Sequence, residues 1–287
     1  MSILLHADTR VIIQGITGEY AARQTQAMLR YGTRIVAGVT PGRGGSSVHG
    51  VPVYDTMAEA LADHPAEASA IYAGTSAAPD AVREALAGNM RLIFVTGEGL
   101  PARDVMLLRA LTRRQDAWMI GPNSLGLISP GRALLGAFAP EWALPGRLGI
   151  LSRGGTLMLR CAGLLTEHGI GYSTAAHIGG DNVLGRNPVE YLRQFEADPD
   201  TSAVLLISEV GGTKDDESAA FIATMKKPVV ALVVGHHAPR GKAMGHAGAI
   251  IGSDAQTAAA KEERLAAAGA RIARAPEDLP GLLQGLL

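Results

Sequence analysis

The stretch Val11-Ile12-Ile13-Gln14-Gly15-Ile16-Thr17-Gly18-Glu19-Tyr20-Ala21 decides the fold: an apolar run, a turn with glycines three apart, then the start of an alanine-rich helix. This is the strand–turn–helix opening of a βαβ unit, in which backbone N–H groups at the helix start can face an anion. The turn departs from the dinucleotide fingerprint Gly-x-Gly-x-x-Gly. After the second apolar run comes Thr40-Pro41-Gly42-Arg43-Gly44-Gly45, which offers a cation where NAD asks for a carboxylate. A phosphorylated ribose fits that loop better than a free 2′-hydroxyl. Taken alone, the two loops are open to NADP or to a purely structural role.

Working outward, apolar runs at Val11 to Ile13, Ile35 to Val39, Ala70 to Tyr72, Leu92 to Val95 and Met119-Ile120 alternate with amphipathic stretches. The helices are expected at Glu19 to Tyr31, Met57 to Asp63, Ala78 to Gly88 and Ala102 to Arg114. A parallel sheet follows for residues 1–128. Residues 129–146 carry Pro130, Gly131, Gly136, Pro140, Pro145 and Gly146 and read as a connecting segment. A second series occupies 147–287, with strands at Leu148 to Leu151, Tyr172 to Ala175, Val204 to Ile207, Val229 to Val234 and Arg271-Ile272. Its helices are expected at Thr156 to His168, Pro188 to Ala197, Ala255 to Ala268 and Leu279 to Leu287. The expected class is α/β, a Rossmann-like unit followed by a flavodoxin-like, doubly wound one.

Composition agrees with this class and narrows the chemistry. The chain has 287 residues, 47% of them hydrophobic and 4% aromatic, with 36 glycines for tight turns. Its 26 basic and 27 acidic residues nearly cancel, so no electrostatic footprint for nucleic acid or an anionic membrane exists. Cys161 is the single cysteine, which excludes an internal disulfide or a cysteine zinc cluster within one chain and fits a reducing compartment. No segment reaches about 18 uninterrupted apolar residues and the N-terminus lacks a secretory pattern, so the chain reads as cytoplasmic. No metal site is expected.

Chemistry concentrates in the second half. Gly241-Lys242-Ala243-Met244-Gly245-His246-Ala247-Gly248 sets one imidazole among small residues. With a pKa of about 6.5, such a ring offers a neutral nitrogen that can accept and surrender a phosphoryl group. An incidental histidine in a glycine-rich turn is the plain alternative. Ile207-Ser208-Glu209-Val210-Gly211-Gly212 ends an apolar strand with a carboxylate that could fix the histidine tautomer through Nδ1, although strand-end glutamates are more often solvated. Ser152-Arg153-Gly154-Gly155-Thr156 opens a helix and is a ready anion site, with Arg153 adding charge or holding the loop.

In order along the chain, Gln14 to Gly18, Gly38 to Gly45, Gly121-Pro122-Asn123, Ile178 to Asp181, Glu209 to Gly212 and the His246 loop resemble the α subunit of succinyl-CoA synthetase, within the NDP-forming acyl-CoA synthetases. The opening Met1-Ser2-Ile3-Leu4 belongs to the same likeness. The resemblance implies a CoA-binding domain and a ligase domain with phosphorylated His246. It further implies that Glu209 supports the phosphohistidine, and that Thr17, Gly18, Glu19, Tyr20, Arg43, Thr96, Gly97 and Glu98 bind CoA. Ser152 to Thr156 would hold phosphate. An ATP-grasp β subunit, as αβ or α2β2, would bind ATP or GTP with Mg2+, and a small carboxylic acid would be the second substrate.

The sequence also departs from that family. Asn123-Ser124-Leu125-Gly126 replaces the usual Asn-Cys-Pro-Gly. Gly154, Leu159 and Arg160 stand where serine, tyrosine and glutamate are usual, which leaves open a malate–CoA ligase or another acyl-CoA ligase. A non-catalytic CoA-binding subunit and an NAD(P) oxidoreductase are the rivals from other classes. The expected reaction is a reversible three-step ligation. Acid and nucleoside triphosphate first yield an acyl phosphate, its phosphoryl group passes to His246 as CoA takes the acyl group, and NDP then receives it.

Overall fold

The structure, a computed structural model, describes residues 3–287. Of the opening Met1-Ser2-Ile3-Leu4, the first two residues lie outside the described residues. The first unit alternates β1 (Arg10–Gln14), α1 (Glu19–Tyr31), β2 (Arg34–Val39), β3 (Ser47–Val48), β4 (Val51–Tyr54), α2 (Met57–Asp63), β5 (Ala68–Ile71), α3 (Ala78–Ala87), β6 (Leu92–Val95), α4 (Ala102–Arg114) and β7 (Trp118–Ile120). The sheet runs β3-β4-β2-β1-β5-β6-β7, parallel apart from the short β3–β4 pair. Chain order therefore reverses between β1 and β5. Ligands of open α/β sheets sit at such a reversal, outside the carboxyl ends of the strands. The glycine turn after β1 lies at this point. A Cβ on Gly15, whose φ is +79°, would come within 3.0 Å of the backbone of Tyr72 and Ala73 after β5, so only glycine lets the two strand ends approach.

The second unit comprises β8 (Gly126–Ser129), β9 (Ala133–Gly136), β10 (Pro145–Ser152), α5 (Gly155–Glu167), β11 (Tyr172–His177), α6 (Pro188–Ala197), β12 (Ala203–Glu209), α7 (Lys214–Ile222), β13 (Val229–Val234), α8 (Ala258–Ala267), β14 (Arg271–Ala273) and α9 (Leu279–Leu283). Its sheet order is β14-β13-β12-β10-β11-β8-β9. The five strands from β14 to β11 are parallel, and their order reverses between β10 and β12. Strands such as β12, buried along all seven residues, are covered on both faces, as parallel sheets require.

One hairpin, one short strand pair and one helix were not legible in the local pattern. The stretch 129–146, expected to connect, carries β9 and the start of β10, and the β8–β9 hairpin pairs antiparallel with β11. Prolines and glycines there punctuate a hairpin. The small β3–β4 pair and helix α7 were likewise not anticipated. The C-terminal helix is shorter than expected, and Ala255 to Ala268 divides into a short 3-10 turn and α8.

The hairpin also joins the two units. Thr33, in the turn between α1 and β2, donates its hydroxyl to the Leu134 carbonyl at 2.7 Å and accepts from the Leu134 N–H at 3.0 Å. On the opposite side Glu190 of α6 pairs with Arg113 of α4 at 2.7 Å and with Arg186 at 2.9 Å. Arg186 donates to the Ala117 carbonyl and lies over the Trp118 ring, which meets Tyr191 edge-on. One apolar cluster runs from Val11 and Ile13 through Leu127 and Leu134 to Leu205 and Val230. Sharing a core in this way fixes the two carboxyl edges relative to each other.

Candidate functional site

The reversal between β10 and β12 brings the ends of those strands side by side. β10 delivers Ser152 and Arg153, β12 delivers Glu209, and the turn beyond β13 carries His246 over them. His246 Nδ1 lies 2.7 Å from Glu209 Oε2. A carboxylate can only accept here, so Nδ1 carries the proton and Nε2 is left as the unprotonated nitrogen. Glu209 Oε1 lies 3.3 Å from Arg153 Nη2, with both side chains under a tenth exposed. Arg153 also donates to the carbonyls of Gly180, at 3.4 Å, and Asp181, at 3.1 Å. Its guanidinium therefore holds the 180 loop and Glu209 together. Of the two tasks open to Arg153, this geometry serves the second.

The His246 ring rests on Gly180. A Cβ built on Gly180 would stand 2.8 Å from both Cγ and Cδ2 of the imidazole. The glycine is required because the ring occupies the space a side chain would need. The Gly248 N–H donates to the Gly180 carbonyl at 3.3 Å, which seats the histidine loop on the same turn.

The hydrogen bond and negative charge of Glu209 raise the His246 pKa above the ordinary imidazole value. Partial burial and Arg153 oppose the rise, and Glu98 adds to it. His177, a second imidazole in the same wall, behaves oppositely. It is buried at the end of β11, its Nδ1 accepts the Leu125 N–H at 2.8 Å, and its Nε2 lies 2.8 Å from the Arg153 carbonyl. Burial pushes its pKa down to about 4, against the hydrogen bond to the Arg153 carbonyl and the negative charge of Glu209, while the charges of His246 and the Arg153 guanidinium add to the fall. His177 is thus a neutral strut, with both ring nitrogens occupied, whereas His246 keeps one nitrogen free.

His246, Glu209 and His177 line a cavity of about 440 Å³ together with Gly154, Gly155, Thr156 and Leu157. No side chain caps the start of α5. Its first N–H groups and the positive end of its dipole therefore face the space in front of the histidine, an arrangement that attracts a phosphate or carboxylate. The Ser152 hydroxyl accepts from the Gly154 N–H at 3.1 Å and donates to the Gly154 carbonyl at 2.9 Å, which sets the turn.

Leu159 and Arg160 do not line this cavity. Leu159 packs against the core, and Arg160 projects to the surface, 3.4 Å from Glu277. Their departure from the family pattern therefore does not act through the cavity wall. Of the changes at this helix start only Gly154 faces it, and Leu125, where the family usually has proline, lines it as well. Ser124, in the place of the usual cysteine, is buried and donates to the His177 carbonyl, so it braces the strut.

The first unit contributes a second edge. Thr17, Gly18, Glu19 and Tyr20 follow β1, Arg43 follows β2, and Thr96, Gly97 and Glu98 follow β6. Thr17 and Thr40 hydroxyls meet at 3.3 Å, and Tyr20 and Arg43 are exposed. A smaller cavity of about 170 Å³, lined by Glu98, Leu100, Asp181, Val183 and Ala247 among others, joins this edge to the histidine loop. Thr17 to Tyr20 and Arg43 line neither cavity. Asn123 ties the two edges. Its N–H donates to the Gly97 carbonyl at 2.8 Å, its carbonyl accepts from Gly180, and its side-chain amide reaches Asp181 at 3.1 Å. Asn123 and His177 were not singled out as site residues. Asn123 stood in a recognised motif, whereas a histidine ending an apolar strand gave no local signal.

Two family models match the chain: a CoA binding domain over residues 6–99 and a CoA-ligase over residues 151–271. The chain is 48% identical over 273 residues to the ADP-forming succinate–CoA ligase subunit alpha 1 of Archaeoglobus fulgidus, covering 95% of this chain and 94% of that one. It is 40% identical over 281 residues to the malate–CoA ligase subunit alpha of Methylorubrum extorquens, covering 96% and 95%. Among solved structures, ATP citrate lyase from Methanothrix soehngenii with citrate and coenzyme A matches with a TM-score of 0.91 at 25% identity, over 99% of this chain and 50% of that chain. No helix among the described residues is long and apolar enough to cross a membrane.

Proposed function

The chain belongs to the family of ADP-forming succinate–CoA ligase α subunits, and we propose that His246 Nε2 carries the phosphoryl group in its reaction. As an NDP-forming acid–thiol ligase subunit it takes CoA as substrate. The observation that carries the proposal is the 2.7 Å contact between Glu209 and His246 Nδ1 at the mouth of an uncapped helix. That contact leaves Nε2 nucleophilic and would stabilise the cationic ring once phosphorylated.

Mass balance corrects the order of steps expected from sequence. When a CoA thiolate attacks an acyl phosphate, the C–O bond breaks and phosphate leaves as free phosphate, so His246 cannot be charged in that step. In the direction of synthesis, ATP transfers its γ-phosphoryl group to Nε2 and ADP departs. The acid carboxylate then takes the phosphoryl group from nitrogen, giving an acyl phosphate. CoA attacks the acyl carbon and releases phosphate. The α5 amides stabilise the equatorial charge of the transferring group.

We assign CoA to Thr17, Gly18, Glu19, Tyr20, Arg43, Thr96, Gly97 and Glu98 at the first carboxyl edge, and phosphate to Ser152 to Thr156, with Arg153 acting through the loop it holds. An ATP-grasp β subunit supplies ATP with Mg2+ in an αβ or α2β2 assembly in the cytoplasm. The acid is a small dicarboxylate, succinate first. Malate is the second reading, favoured by the malate–CoA ligase relative and by the hydroxyl lost at Gly154.

Mixing the chain, its β partner and radiolabelled ATP should give an acid-labile, base-stable label on His246 that succinate with CoA discharges. Label retained in His246→Asn overturns the proposal. Discharge by malate but not succinate replaces the first acid with the second.

A further inference from the structure

Lys261 of α8 is 1% exposed, among the most deeply buried large side chains of the molecule. A lysine on an amphipathic helix is ordinarily solvated, and burying an ammonium costs several kcal/mol unless its donors are met. Here all three donors are met. Nζ donates to the Glu209 carbonyl at 2.8 Å, to the Gly211 carbonyl at 2.5 Å and to Asp215 Oδ2 at 2.5 Å. Asp215, in the first turn of α7, is buried and also accepts from the Ser208 hydroxyl at 3.1 Å. Lys261 and Asp215 thus grip the end of β12 from behind, the aspartate through Ser208 of the strand itself.

The grip falls on either side of the residue that matters. Glu209 sends its carbonyl back to Lys261 and its carboxylate forward to His246 Nδ1 and Arg153. Beyond it, Gly211 has a φ of +85° and its N–H donates to the Gln256 carbonyl, just before α8. With both carbonyls tethered, the peptide planes around Glu209 cannot rotate, and its carboxylate is aimed.

We infer that Lys261 is a positioning residue for the phosphohistidine reaction, holding the 209–211 turn so that the Glu209 carboxylate meets His246. It touches no reacting atom. The groups whose charge bears on His246 are Glu209, Arg153 and Glu98, with His177 behind them. Lys261 acts through geometry. For its kinetic consequence the inference rests on the proposed function. Its geometric content does not.

The test uses the full chain with its β partner and histidines isotopically labelled for NMR. His246 is assigned by its loss in His246→Asn. In Lys261→Met the His246 titration midpoint should fall toward that of Glu209→Gln, and the first-turnover rate of His246 phosphorylation should drop about 10- to 100-fold with little change in KM for ATP. Lys227 is the control, because its ammonium also meets two carbonyls, of Phe195 and Asp198, at a distance from the site. Lys227→Met should lower the melting temperature and leave the His246 titration unmoved. If Lys261→Met does not fold, Lys261→Arg keeps the charge while its planar fork cannot direct three donors to the same acceptors, and a lowered midpoint is again expected. An unchanged His246 titration in a folded Lys261 variant overturns the inference. A shifted titration in a chain whose wild type never labels leaves the clamp standing and removes the proposed function instead.

Discussion

The two carboxyl edges share one topological logic and differ in how their side chains are held. Both lie where the strand order of a parallel sheet reverses. At the first, Gly18, Glu19, Tyr20, Arg43 and Glu98 are exposed. At the second, Arg153, His177, Glu209, Asp215 and Lys261 are each less than a tenth exposed and joined through hydrogen bonds and ion pairs. An open edge suits a large anionic ligand that must arrive and leave. A locked edge suits group transfer, in which a small displacement of the nucleophile is costly.

Acid should separate the two edges most sharply. His177 is held neutral with a pKa of about 4, while the unfolded chain protonates at about 6.5. A depressed histidine contributes stability above the unfolded value and loses it as pH falls toward the folded one. The free energy of unfolding should therefore decline between about pH 6.5 and 4 by up to about 3 kcal/mol, and His177→Gln should flatten that decline. A decline of unchanged size in the variant breaks the contrast.

Gly180→Ala comes next. The added methyl must displace the His246 ring or the loop beneath it, so phosphorylation of His246 should slow by about 100-fold. CoA affinity, measured by calorimetry, should stay within error.

Glu209→Gln should slow phosphorylation about 10- to 100-fold. It also carries a pH signature. Attack needs the unprotonated imidazole, and Glu209 raises the His246 pKa, so the wild-type rate rises with pH through a value above the ordinary one. Without the carboxylate that ascending limb should move to lower pH. A limb that stays in place would mean that another group sets it.

Arg43→Ala is the smallest change and tests the open edge alone. Losing one charged contact to a phosphate should weaken CoA binding about tenfold, with no change in labelling of His246 by ATP. Equal loss of both would mean that the edges are coupled more tightly than their exposure suggests.

Much of this was legible in the chain because it is local. The turn after Ile13, the helix after Arg153 and the carboxylate ending Val204 to Glu209 are adjacent-residue patterns, and each became the element expected. What was missed is non-local. Residues 129–146 look like a connector because Pro and Gly punctuate a hairpin as readily as a linker. Besides β9, β8 pairs antiparallel with β11, whose paired residues lie about fifty positions later. Lys261 reads as a solvated helix lysine, since its acceptors lie in another strand and another helix. Leu159 and Arg160 stand next to the phosphate turn in sequence, yet one packs on the core and the other lies at the surface, outside the cavity of this chain.

Sequence by itself determined which residue types are available for the chemistry: one imidazole among glycines, a carboxylate at a strand end, an uncapped helix start and an arginine loop. Tertiary structure decided which of them act together. Parallel strands, with a spacing of about 4.8 Å, carry Glu209 to the turn bearing His246 although 37 positions separate them. The same packing turned Arg153 from a free cation into a buried brace and made Lys261 the rear anchor of the site. Only burial and distance can assign those roles, because a side chain's charge is written in the chain while its partners are chosen by the fold.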